Sequence, residues 1–158
     1  VLLWFLGGSF LAVWLVLRDP SFDYRLLWLG AILPDVIDAP FGGARVMHSI
    51  TASIALLVVV MLATIGRRAL RKHLIALVFG TFLHLVLDGA FNNTDVFWWP
   101  FTGAHFTHAR LPSVSRGPVD IPLEIAGALI LAWMWKRFHF GDRRLRRQFV
   151  RTGRLQAD

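Results

Sequence analysis

No cysteine occurs among the 158 residues. Its absence removes any disulfide framework, any thiolate zinc site and any thiol nucleophile, so metal or acid-base chemistry falls to His, Asp and Glu. Charge is also scarce. Only 17% of the residues are Asp, Glu, Lys or Arg and 56% are hydrophobic, against about 25% and roughly 45–50% in an ordinary soluble domain. The length gives room for at most about five or six membrane-crossing helices of about 20 residues and none for a separate soluble domain. A Rossmann sheet, a barrel enzyme and a repeat array are thereby excluded. A net charge of +7 would suggest a nucleic-acid partner in a soluble protein, but here the placement of the charge matters more than its sum.

What is present is a series of apolar runs. Residues 1–17 carry no charge, follow no basic residue and precede no small-residue cleavage site, so they read as a crossing and not as a signal peptide. Residues 26–33 form a shorter run that meets Pro34-Asp35; runs over 49–66, 74–91 and 121–138 follow. Each is apolar all round and lacks a single stripe, as expected of helices in lipid, where backbone groups must bond within their own segment. The expected fold class is all-α, a polytopic transmembrane bundle of four to five crossings over residues 1–140, followed by a basic cytoplasmic tail over 141–158.

Basic residues orient the chain. Arg67, Arg68, Arg71 and Lys72 lie between the third and fourth runs, and Arg143, Arg144, Arg146, Arg147, Arg151 and Arg154 lie in the tail. The opposite stretches hold only Arg45, Arg110 and Arg116. The positive-inside rule places the first two groups in the cytoplasm, giving a multi-pass protein of the cytoplasmic (inner) membrane of a bacterium or archaeon. A polybasic stretch after a crossing reads as an anchor on anionic lipid, and no nucleic-acid partner is expected.

Ionisable groups within membrane segments are costly and carry a functional presumption. Asp35 and Asp38 stand in LPDVID, His48 in MHS, and His84 and Asp88 in FLHLVLD. In the derived orientation all three motifs reach the outer side. The spacings i, i+3 and i, i+4 put each pair on one helical face. Three carboxylates and two imidazoles suit zinc, manganese or iron, as a dinuclear site or as one ion with a carboxylate base. Glu124, one turn inside the fifth run, is a candidate general base beside Asp38. His105 and His108 read as an exposed loop pair, Asn92, Asn93 and Asp95 as turn chemistry, and His73 and His139 as interfacial.

The residues GAILPDVID, MHSI, FLHLVLD and WWPFTG resemble the motifs of the YdjM-like family of predicted membrane-bound metal-dependent hydrolases, which includes LexA-regulated bacterial inner-membrane proteins. The resemblance covers roughly residues 28–103, and Asp35, His48, His84 and Asp88 match its motif positions. Two departures stand out: the second acid is Asp38, one place late, and the first His of the family's doubled motif is absent. The resemblance implies a reduced site at Asp35, His48, His84 and Asp88, and with Asp38 from the residue pattern the expected ligands of a divalent ion, zinc or manganese, are Asp35, Asp38, His48, His84 and Asp88. The expected function is metal-dependent hydrolysis at the outer interface, with membrane lipid as partner and a lipid or lipid-linked phosphate or ester as substrate. The alternatives are a metal or proton transporter subunit and a non-catalytic membrane scaffold.

Overall fold

A computed structural model describes residues 1–103, 106 and 117–156; His105 and His108 fall outside these. The described residues are helical, without a strand. In chain order the helices are α1 (Leu2–Leu17), α2 (Tyr24–Asp38), α3 (Ile50–Ala63), α4 (Arg68–Leu87), the short α5 (Thr94–Phe97), α6 (Asp120–Arg137) and α7 (Arg143–Thr152). Two helical stretches, Arg68–Leu87 and Gly117–Arg137, are long and apolar enough to cross a membrane, whereas the apolar helices Leu2–Leu17 and Ile50–Ala63 are shorter. On length and composition, two of the expected four to five crossings meet the requirement for a span.

The apolar runs do not end where their composition changes. α2 continues through Pro34 to Asp38 and does not stop at the Pro-Asp step, although proline removes one ladder hydrogen bond. Asp35 and Asp38 consequently stand on a helix and not in a turn. α4 begins at Arg68, ahead of its apolar run. Its first turn is tied down by Arg71, which donates from Nε to Thr64 Oγ1 and from Nη2 to the Thr64 carbonyl, both at 3.0 Å.

Helices α1, α2 and α4 pack mutually, with α6 against α1 and α3 against α4. The α2–α4 crossing is the most extensive, and its closeness is set by two glycines facing each other. A Cβ on Gly30 would meet the Leu77 carbonyl, and one on Gly80 would meet the Leu27 carbonyl. Small residues that let backbones touch are the usual device for helix association in lipid, where apolar burial supplies little drive. Large apolar side chains face outward along the bundle, among them Val16, Leu29, Val59, Leu62, Ile65, Ile125 and Leu129. Such a surface is costly in water and ordinary in a bilayer.

The aromatic core lies at one end of the bundle. Phe10, Phe22, Tyr24, Phe138, Phe140 and Phe149 form a buried cluster there with Leu27 and Leu155. The basic C-terminal segment contributes to it, because α7 docks through Phe149, whose ring meets Phe140 at 4.9 Å and Trp28 at 5.5 Å. Arg25 Nη1 donates to the Val150 carbonyl at 2.9 Å, and Tyr24 N donates to the Gly153 carbonyl at 2.9 Å. Gly153 closes α7 at φ 71° with Asp23 pressed where a Cβ would stand, so conformation and space both require glycine. The sequence-based tail is thus a helix built into the base.

Asp23 joins these pieces. Its buried carboxylate caps α2 by accepting from the N–H groups of Arg25 and Leu26, and it also accepts from the Arg25 guanidinium and His73 Nδ1, each at 3.0 Å. Burial alone would push its pKa up, but the bonds from Arg25, His73 and Leu26 outweigh burial and hold it below the usual carboxylate range. The folded pKa is the lower one, so this contribution is complete above about pH 4, the unfolded value, and is lost as the pH falls through the folded value. We expect Asp23→Ala to cost about 1–2 kcal/mol at pH 7, the range for losing an N-cap. The gap between variant and wild type should close in acid. Thermal unfolding in detergent at pH 7 and pH 3 checks both statements, and a gap that persists undiminished at pH 3 contradicts them.

Candidate metal centre

At the other end of α2 the polar motifs meet. Asp35 comes from α2, His48 from a 3-10 turn over Val46–His48, and His84 from α4. His48 Nε2 lies 3.3 Å from Asp35 Oδ1, His84 Nε2 lies 3.6 Å from the same oxygen, and the two Nε2 atoms are 3.4 Å apart. Both imidazoles are fully buried, while Asp35 is partly exposed at 23%. Serine N-capping by Ser49, which accepts from Ala52 N at 3.1 Å, starts α3 directly after His48 and fixes where the turn delivers its ring.

The separations correspond to a metal coordination triangle. Ligand atoms at 2.0–2.1 Å from a tetrahedral zinc are separated by about 3.3–3.4 Å, close to the three distances seen here. The point equidistant from all three donors lies about 2.0 Å from each, which is a zinc-ligand bond length.

The hydrogen-bonding of the two rings supplies an independent test of fit. His84 Nδ1 lies 2.7 Å from the Ala31 carbonyl. A carbonyl only accepts, so Nδ1 carries the hydrogen and Nε2 of the neutral ring presents a lone pair. His48 Nδ1 lies 2.8 Å from Asp38 Oδ2, a carboxylate oxygen that also accepts from Arg45 N at 2.8 Å. Both rings therefore turn Nε2 toward each other and toward the Asp35 carboxylate. With both Nε2 atoms unprotonated, two lone pairs and an anion converge on one point and can hold a metal ion there. Backbone carbonyl and carboxylate partners of just this kind orient metal-binding histidines.

Of the five expected ligands, Asp35, His48 and His84 form the group that can hold an ion. Asp38 is instead behind the centre: its buried carboxylate holds His48 by the far nitrogen, which corrects its placement as a ligand and removes it as a proton acceptor at the ion. Asp88, buried at the C-cap of α4, acts on His48 through its charge but is not among the three converging donors. Glu124 lies elsewhere. It sits on α6 and accepts from Leu3 N at 2.8 Å, capping the first turn of α1, and has no place in the donor cluster. Asn92 ends a 3-10 turn, Asn93 joins it to α5 and Asp95 lies in α5, and His73 belongs to the Asp23 cluster at the base.

Two contributors were not identified from sequence. Phe5 of α1 stacks on the His84 ring at 4.2 Å and 30°, closing that side to water. The Ala31 carbonyl fixes the His84 tautomer. A phenylalanine in an apolar run and a backbone carbonyl leave no signal in residue identity; only the 53-residue separation closed by the α2–α4 crossing creates the contact. No protein-family model, curated protein or solved structure matches the chain.

Proposed function

We propose that the protein is a membrane-embedded metal-dependent hydrolase, with Asp35, His48 and His84 holding one divalent ion at the outer interface of the inner membrane. The observation that carries this reading is the pair of tautomer-fixed imidazoles aimed with Asp35 at a single point. Three protein donors are the complement of a catalytic site, which keeps a position open, whereas structural zinc sites use four. A bound divalent ion supplies Lewis-acid polarisation of a phosphoryl or acyl oxygen and acidifies water.

The chain's own residues provide the rest. Phe5 shields His84 from solvent, and partly exposed Asp35 marks the side from which substrate approaches. Asp88, one turn beyond His84 on the same face of α4, is the carboxylate placed to take the proton from water. Arg45, whose backbone N–H bonds Asp38 and whose guanidinium lies 5.8 Å from the centre of the Phe106 ring, is the cation nearest in sequence to His48 and would favour an anionic substrate. A site at headgroup depth, on a bundle whose outer faces are apolar, favours a lipid phosphate or ester. Metal transport would call for a second metal-binding station along the bundle, and among the described residues Asp35, His48 and His84 are the single group of metal-binding donors.

Reconstituted protein should release phosphate or fatty acid from phosphatidic acid vesicles only with zinc or manganese present. Chelation should remove the activity and readdition restore it, and Asp35→Ala should lower it by roughly 10³-fold or more, as expected for losing a ligand to an essential ion. Activity that survives both chelation and Asp35→Ala would exclude the centre as its source.

A further inference from the structure

The end of the bundle remote from the metal centre carries a second feature. Between α7 and the start of α2 runs an open cleft whose floor is Leu26 and Leu29 and whose walls carry Arg25, His73, Arg151 and Arg154. Its one acid, Asp23, is already committed to Arg25 and His73 at 3.0 Å. Arg151 and Arg154 are exposed, and Leu29 is 53% exposed on the outward face of α2. Positive charge and lipid-facing hydrocarbon thus stand side by side, and α7 presents Arg143, Arg144, Arg146 and Arg147 outward while Phe149 anchors it.

We propose that this cleft holds an anionic phospholipid, with Arg151 and Arg154 taking the headgroup phosphate and the acyl chain lying along Leu26 and Leu29. Charge complementarity selects an anion, and basic clefts beside membrane helices are sites where such headgroups settle. The adjoining leucines select one that carries hydrocarbon: a free phosphate leaves them bare, and a nucleic acid has nothing to lay on them. The bound lipid would brace α7 against α2, because the same α2 terminus already holds α7 through Arg25 and Val150. This site is independent of the metal centre and stands or falls without it.

The test uses the full chain in neutral detergent, titrated with phosphatidylglycerol, phosphatidylcholine of the same acyl chains, inorganic phosphate, or a short oligonucleotide. Thermal stability and native mass spectrometry are the readouts. Phosphatidylglycerol should stabilise saturably and remain bound, and the other three should not at equal concentration. Arg151→Gln with Arg154→Gln should weaken apparent lipid affinity at least tenfold. Arg67→Gln with Arg68→Gln, an equal loss of charge at exposed positions outside the cleft, should change it less than twofold. Leu29→Gln, at an exposed position that disturbs no buried contact, should weaken lipid binding severalfold and serves if the arginine pair perturbs folding. Equal losses in both double variants, or stabilisation by phosphatidylcholine, phosphate or oligonucleotide matching that of phosphatidylglycerol, would overturn the proposal.

Discussion

Purified in detergent and loaded with zinc or manganese, the protein should retain one ion per chain, and His84→Ala or His48→Ala should lower its affinity by two to three orders of magnitude. The magnitude follows from structural zinc sites, whose binding free energies of roughly 10–16 kcal/mol over four ligands amount to about 2.5–4 kcal/mol each. Asp38→Asn should behave differently. Its carboxylate orients His48 from the far nitrogen, and losing such a partner commonly costs 10- to 100-fold. Glu124→Gln should leave affinity unchanged, because that side chain serves the start of α1. Elemental analysis and competition with a chelator of known affinity give the ranking. Wild-type protein without stoichiometric metal, or His84→Ala indistinguishable from it, would remove the centre.

The ranking also marks what residue identity could and could not reveal. Asp35, His48 and His84 were legible because a polar side chain in an apolar segment needs a reason to be there, and the three motifs reach one side of the bundle. Asp38 was legible as a participant but not in its role. Spacing i, i+3 puts two carboxylates on one face, and only the conformation of residues 39–48 decides which faces the ion and which backs a histidine. Glu124 misled because depth along a helix does not say which neighbour the helix turns toward. The basic segment was read through its arginines; the residues that seat it, Phe149 and Leu155, are single apolar side chains whose partners lie on α2 and in the 138–140 turn. Helix termini shifted for local reasons as well, at Pro34 and at Arg68, where a ladder tolerates one missing bond and long cationic side chains find carbonyls.

Substituting the glycines of the α2–α4 crossing should remove the ion without touching a ligand. Gly30 immediately precedes Ala31, whose carbonyl fixes His84, and Gly80 lies one turn before His84 on the facing helix. A Cβ at either position meets the backbone of the other helix, and a helix backbone cannot yield as a flexible side chain does. The helices must therefore separate, and the donors Asp35 and His84 travel with them. Donor triangles of 3.3–3.6 Å tolerate shifts of only a few tenths of an ångström before bonds of about 2.0–2.2 Å are lost. Overpacking of this kind costs about 1–3 kcal/mol or more, or several degrees in Tm for a chain of this size. For Gly80→Ala we expect that loss of stability together with at least a hundredfold loss of metal affinity, and for Gly80→Leu no stoichiometric metal at all. Gly141→Ala, where a Cβ meets open space, is the matched control and should alter neither quantity. Thermal unfolding and elemental analysis of the same preparations read both effects. Gly80→Leu that folds and keeps the wild-type affinity would show that helix spacing does not set the geometry of the centre.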